Sequence, residues 1–177
     1  MAAILGMTGE AIENVINDMQ GVTIANYNCP GQIVITGKAQ AVEVAMEKLK
    51  EQGAKRTMLL KVSGPFHSPL LKDAGQELSE ILAGIKLTNL RIPYVTNVTA
   101  TYINDINETK ELLATQVAAS VRWMQSIEEM IANGVDTFVE IGPGKTLTGF
   151  MKKINKEMKV YNIEKWEDIE KVVTELA

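Results

Sequence analysis

One cysteine, one histidine and no long apolar run distinguish this 177-residue chain. The lone thiol, Cys29, excludes an internal disulfide and a multi-thiolate zinc cluster, and fits a reducing cytoplasm. No apolar stretch approaches the roughly 20 residues that a helix needs to cross a bilayer. The stretch Met1-Ala2-Ala3-Ile4-Leu5-Gly6 lacks the basic start and cleavage site of a signal peptide. Without such a signal, the sequons Asn97-Val98-Thr99 and Asn107-Glu108-Thr109 read as chance. Lys and Arg number 18 against 22 Asp and Glu, a net charge of −4, so there is no basic surplus for nucleic acid.

What remains is an ordinary globular composition, 46% hydrophobic and 23% charged, long enough for one sizeable core or two small ones. The first third alternates strand and helix signals. Ala2–Leu5 is a short apolar run ended by Gly6. Thr8 can cap a helix with Ala11, Ile12, Val15, Ile16 and Met19 on one face. Two strands, 22–25 and 33–36, are predicted on either side of a turn-rich connection, Asn26 to Gly31. A helix over 38–52, stopped by Gly53, and a strand over 57–62 complete a β-α-β-β-α-β order, the ferredoxin-like arrangement, within residues 1–62.

Beyond Ser63 the pattern predicts a helix after Ser68-Pro69 with Leu70, Leu71, Ala74, Leu78, Ile81 and Leu82 on its apolar face. A strand is predicted at 94–98, helices at 110–119 and 121–132, and a strand at 137–141. A helix from Thr146 to about Ile154, a strand over 158–162 and a final helix lined by Trp166, Ile169, Val172, Val173 and Leu176 follow. Alternating strands and helices imply a mostly parallel sheet. Three strands against five helices is too few for such a sheet, so residues 63–177 read as part of a larger one.

The chemistry-bearing candidates are few. Gly144-Lys145-Thr146 invites comparison with a phosphate-binding loop, but that motif requires glycine where Val139 stands. None of the serines at 63, 68, 79, 120 and 126 lies in a Gly-x-Ser-x-Gly elbow, so no hydrolase triad assembles from this chain alone. Ser68 is expected to cap the helix that follows it rather than to serve as a nucleophile for its neighbour. Asn26 and Asn28 are read locally as turn-closing amides. His67 is bracketed by Gly64, Pro65 and Pro69, which fix a sharp turn after a strand. Imidazole alone among side chains has an unperturbed pKa near cellular pH, about 6.5. Two local readings stand for it, a proton carrier or a polar loop residue ahead of a helix.

Four segments decide between them. They are Gly64-Pro65-Phe66-His67-Ser68, the run from Asn26 to Gly37, Val121-Arg122-Trp123, and the run from Val139 to Gly149. In order and spacing they resemble the malonyl-CoA:acyl carrier protein transacylases of bacterial fatty acid synthesis, with the acyltransferase domains of polyketide synthases as close relatives. The resemblance covers the C-terminal part of that family. It implies an α/β fold in which a complete ferredoxin-like subdomain, residues 1–62, precedes the C-terminal portion of a large α/β-hydrolase-like acyltransferase subdomain, residues 63–177. The family's N-terminal Gln-containing loop, its serine elbow and its malonyl-binding arginine are expected to lie outside this chain.

The resemblance further implies roles. His67 matches the histidine that takes the proton of the nucleophilic serine and returns it to the departing thiol. Gln116 matches the position whose backbone carbonyl orients that imidazole. Asn28, and less closely Asn26, match residues near the bound substrate, and Phe66 fits the selection of malonyl groups. The implied partners are malonyl-CoA and an acyl carrier protein, whose phosphopantetheine thiol accepts the acyl group. No resident cofactor or metal is implied, and the setting is cytoplasmic. The isolated chain is expected to be inactive and, through its incomplete sheet, either to self-associate as a dimer or to be poorly soluble. The competing reading is a non-catalytic module that binds a carrier protein or small ligand on the ferredoxin-like half. Lys55, Arg56 and Lys61 would then meet an acidic partner, although a solvated strand face explains them equally well.

Overall fold

The computed structural model describes residues 1–176, a mixed α/β chain in two compact units, Met1–Ser126 and Ile127–Ala177. The first opens with β1 (Ala2–Leu5), α1 (Gly9–Ile16), β2 (Val22–Cys29), β3 (Gln32–Gly37), α2 (Ala39–Glu51) and β4 (Arg56–Leu59). This is the β-α-β-β-α-β succession that the periodicity predicts. The strands form one antiparallel sheet in the order β2-β3-β1-β4, with Ile4 opposite Ile33 on one side and Thr57 on the other.

Local chemistry accounts for these elements. The Thr8 hydroxyl accepts the Ala11 N–H at 3.2 Å, satisfying one orphan donor of α1, and Glu10 faces the positive end of the helix dipole. Ile12 and Ile16 from α1, with Val42, Ala45 and Leu49 from α2, bury against Ile4, Ile24, Ile33 and Ile35 of the sheet. Gly37, at φ 145°, closes against Gly21, where an added Cβ would lie 2.0 Å from the Gly21 carbonyl oxygen.

The connection expected from Asn26 to Gly31 is different. Asn26, Tyr27, Asn28 and Cys29 belong to β2, and the turn is only Pro30-Gly31. The pairing with β3 shifts register between Ile24 and Asn26 and again between Tyr27 and Cys29. Such bulges break the simple alternation that signals a strand, which is why the sequence reads as a turn here. The outer edge of β2 is covered by residues near Val121, through an isolated parallel bridge between Asn26 and Val121. The Val121 N–H donates to the Ala25 carbonyl at 2.7 Å, and the Tyr27 N–H donates to the Val121 carbonyl at 2.9 Å.

After β4 the chain turns through Pro69–Leu71, a 3₁₀ turn, into α3 (Lys72–Ala83). Leu82 and Gly75 are buried on this helix, whereas Leu70 and Ile81 are exposed, so the apolar face is narrower than the sequence suggests. No strand forms at 94–98. Val95 makes one bridge to Tyr102, and the residues between them fold back through Ala100 at φ 57°. A β-prone run with a single bridging partner does not build a ladder. α4 (Thr109–Thr115) is shorter than expected, and α5 (Trp123–Ala132) contains the division between the units.

The second unit holds a parallel pair, β5 (Thr137–Ile141) and β6 (Lys159–Ile163), with Thr137 opposite Lys159 and Ile141 opposite Ile163. α6 (Thr146–Ile154) makes the crossover that a parallel pair requires, and α7 (Trp166–Leu176) follows β6. Ile127, Met151 and Val172 are buried in this unit.

Candidate active site

His67 sits at φ 55°, in the left-handed region that costs a non-glycine residue roughly 1–2 kcal/mol. Two hydrogen bonds oppose that cost. The Ser68 hydroxyl, fully buried, donates back to the Pro65 carbonyl at 2.7 Å and closes the four-residue turn around His67. The expected capping role of Ser68 is therefore corrected. It occupies the N-cap position of the 3₁₀ turn, but its hydroxyl makes no capping bond, because that oxygen is aimed back at Pro65.

The second bond joins the imidazole to Gln116. His67 Nδ1 lies 3.0 Å from the Gln116 backbone oxygen. A carbonyl only accepts, so Nδ1 carries a proton, and in the neutral ring Nε2 then keeps its lone pair. The carbonyl is available because Gln116 is the C-cap of α4, where the last helical carbonyls have no partner within the helix.

Three features hold these two residues at that distance. α3 and α4 cross tightly at Gly75, where a Cβ would lie 2.9 Å from the Ala114 carbonyl oxygen. Asn97 Nδ2 reaches the Gln116 side-chain oxygen at 3.4 Å, while the Asn97 carbonyl accepts the Arg122 N–H at 2.9 Å. The Ser120 hydroxyl donates to the Ile24 carbonyl at 2.6 Å, fastening the segment after α4 to β2. Gly75, Asn97 and Ser120 were not candidates by sequence, since none carries a local motif for this work.

The structure thus brings His67 and Gln116 into direct contact. Asn26 and Asn28 are half-buried on β2, linked to the Gln116 segment by way of Val121. Phe66 is 45% exposed beside Gly64. Beneath the same strand, the Tyr27 hydroxyl donates to the Glu13 carboxylate. Burial first, then this carboxylate, holds the phenol well above its ordinary value, and the Arg122 charge pulls it the other way.

In the second unit the glycine-rich turn before α6 is closed by its own carboxylate. Glu140 accepts the Leu147 N–H at 3.0 Å, the Thr148 N–H at 2.8 Å and the Thr148 hydroxyl at 2.6 Å. Burial pulls this carboxyl upward, but the bonds from Thr148 and Leu147 together outweigh it and hold it below its ordinary range. First-turn N–H groups that would face a phosphate in a nucleotide-binding loop are thus engaged from within. Among the described residues, no group of three or more His, Cys, Asp or Glu side chains can hold a metal ion, and no helix is long and apolar enough to cross a membrane.

Residues 1–171 match the acyl transferase domain family. The chain belongs to that family. Among its curated relatives is the malonyl CoA-acyl carrier protein transacylase of Bacillus subtilis, 46% identical over 180 residues that cover 99% of this chain and 57% of the relative. Among solved structures, that of the malonyl CoA-acyl carrier protein transacylase from Clostridium perfringens superposes with a TM-score of 0.94 at 43% identity, covering 99% of this chain and 56% of that one. A malonyl-transacylase solved in complex with a type II polyketide synthase acyl-carrier protein also has a TM-score of 0.94, at 32% identity, with 98% and 57% coverage. The chain therefore spans a little over half the length of the relatives it matches. The comparisons give the reading as a non-catalytic binding module no support.

Proposed function

We propose that these residues form the histidine-bearing part of a malonyl-CoA:acyl carrier protein malonyltransferase, with His67 as its proton carrier. The observation that carries this reading is the Nδ1 bond to the Gln116 backbone oxygen, which leaves Nε2 free to act as a base. Nε2 removes the hydroxyl proton of a serine supplied from outside these residues, and the serine oxygen bonds to the malonyl thioester carbon. The carbon–sulfur bond then breaks, and the imidazolium returns its proton to the departing coenzyme A sulfur. In the second half Nε2 takes the proton of the carrier protein's phosphopantetheine thiol. That sulfur attacks the acyl-serine ester, and the proton passes back to the serine oxygen.

In this reading residues 1–62 are a ferredoxin-like subdomain, supported by the antiparallel order β2-β3-β1-β4, and residues 63–177 belong to the large acyltransferase subdomain. Asn28, Asn26 and Phe66 line the substrate wall. Both reacting groups arrive with substrate and carrier, so no resident cofactor is required. The setting is cytoplasmic. Ile141 is 77% exposed on β5, which pairs only with β6 among the described residues, and this edge supports self-association.

The test is a fusion in which these 177 residues replace the matching C-terminal portion of the Bacillus subtilis relative. The fusion should move radiolabelled malonyl from coenzyme A to carrier protein, and His67→Ala should slow that transfer roughly 10²–10⁴-fold. The unfused chain should form no acyl-protein adduct. Full transfer by the His67→Ala fusion would overturn the assignment.

A further inference from the structure

We infer that Ser68 is a positioning residue for His67, acting by closing the turn that carries the imidazole. His67 occupies a backbone region that a residue with a Cβ rarely adopts. The ring of Pro65 fixes its own φ two residues before His67, and Pro69, which opens the 3₁₀ turn, restricts Ser68. Neither proline determines the backbone of His67 itself. The direct link across the turn is the Ser68 hydroxyl, 2.7 Å from the Pro65 carbonyl.

Burial distinguishes this hydroxyl from an ordinary loop serine. Ser68 is 0% exposed, so its hydroxyl is withdrawn from water and finds its partner in the Pro65 carbonyl. The Ser68 carbonyl meanwhile accepts the Leu71 N–H at 3.0 Å, which seats the same residue on the start of the next turn. Side chain and main chain of one residue therefore fix both ends of the loop. Releasing the hydroxyl lets His67 relax toward ordinary negative φ, and that rotation carries Nδ1 away from the Gln116 oxygen. The ring then reverts to the mixture of tautomers of a free imidazole, with Nε2 protonated in much of the population. A base carrying its proton on the wrong nitrogen cannot accept one from a nucleophile.

The meaning of this for catalysis rests on the proposed function, but the placement of the ring does not, and it is measured without turnover. His67 is the only histidine in the chain, so the two ring nitrogens give an unambiguous nitrogen-15 signature. In the intact chain at a pH where the ring is neutral, the proton should reside on Nδ1. Ser68→Ala should shift the ring toward the Nε2-protonated form, and Ser68→Thr, which keeps the hydroxyl, should restore the Nδ1 form. Ile12→Val, a cavity in the core of the four-stranded sheet, is the control for general loss of stability and should leave the ring signature unchanged. A Ser68→Ala chain with an unaltered Nδ1 signature would overturn the inference. Should Ser68→Ala fail to fold, the unsubstituted chain decides. Its Ser68 hydroxyl proton should be visible and slow to exchange, and a rapidly exchanging hydroxyl would overturn the inference equally.

Discussion

His67 and Gln116, 49 positions apart in the chain, meet through Nδ1 and a main-chain oxygen 3.0 Å away. The glutamine's own side chain takes no part in that bond. Gln116→Ala in the fusion enzyme should therefore keep malonyl transfer within about threefold of the parent, since the Asn97 contact it removes is a single neutral hydrogen bond of modest net value. Steady-state transfer rates check this. A loss comparable with that of His67→Ala would show that the side chain, not the carbonyl, does the orienting.

Gly75 sets the approach of α3 to α4. Gly75→Ala gains up to about 1 kcal/mol of helix propensity. It also places a methyl group against the Ala114 carbonyl, and overpacking of that kind costs about 1–3 kcal/mol. The clash is with backbone, which cannot rotate away, so the net outcome is destabilisation of up to about 2 kcal/mol. Urea unfolding read from helical circular dichroism measures it. An increase in stability would mean that the two helices do not need this glycine.

Ser120 fastens the segment after α4 to the edge strand of the first sheet. Ser120→Ala should cost about 1 kcal/mol. It should also loosen the cover on β2, raising the tendency of that edge to pair with other chains. Thermal melting and light scattering at matched concentration test both parts. Unchanged melting and unchanged scattering would contradict this role.

Glu140 gives the second unit a pH dependence of defined sign. Its carboxyl is held below the ordinary value of 4.5, so its contribution is complete above that pH and is lost as pH falls through the lower, folded-state value. Glu140→Gln should remove this acid sensitivity. Glu140→Ala should destabilise the α6 turn at neutral pH by about 1 kcal/mol, as loss of a helix cap does. Acid titration followed by amide hydrogen exchange in 137–163 is the measurement. An acid transition that is identical in parent and Glu140→Gln would refute the assignment.

Much of this arrangement was legible in the chain. The β-α-β-β-α-β order, the Thr8 cap, β5 and α6 follow from periodicity and turn residues, because each is set by neighbours in sequence. Asn26 to Cys29 misled because a bulged strand has lost the period of two on which strand recognition depends. The run at 94–98 misled because β-propensity does not supply a partner strand. The role of Gln116 came from family resemblance. A backbone carbonyl has no residue type, and no spacing rule predicts that a helix end will lie under an imidazole so far along the chain. Gly75 and Ser120 were silent for the same reason, since their partners, Ala114 and Ile24, are brought to them by the tertiary fold.

The proposed chemistry of His67 turns on which ring nitrogen holds the proton in the neutral imidazole. Nitrogen-15 spectra of the ring in the unsubstituted chain read this directly, with no second histidine to confuse the assignment. The bond to Gln116 predicts a proton fixed on Nδ1 and an unprotonated Nε2. A neutral ring protonated mainly on Nε2 would contradict it.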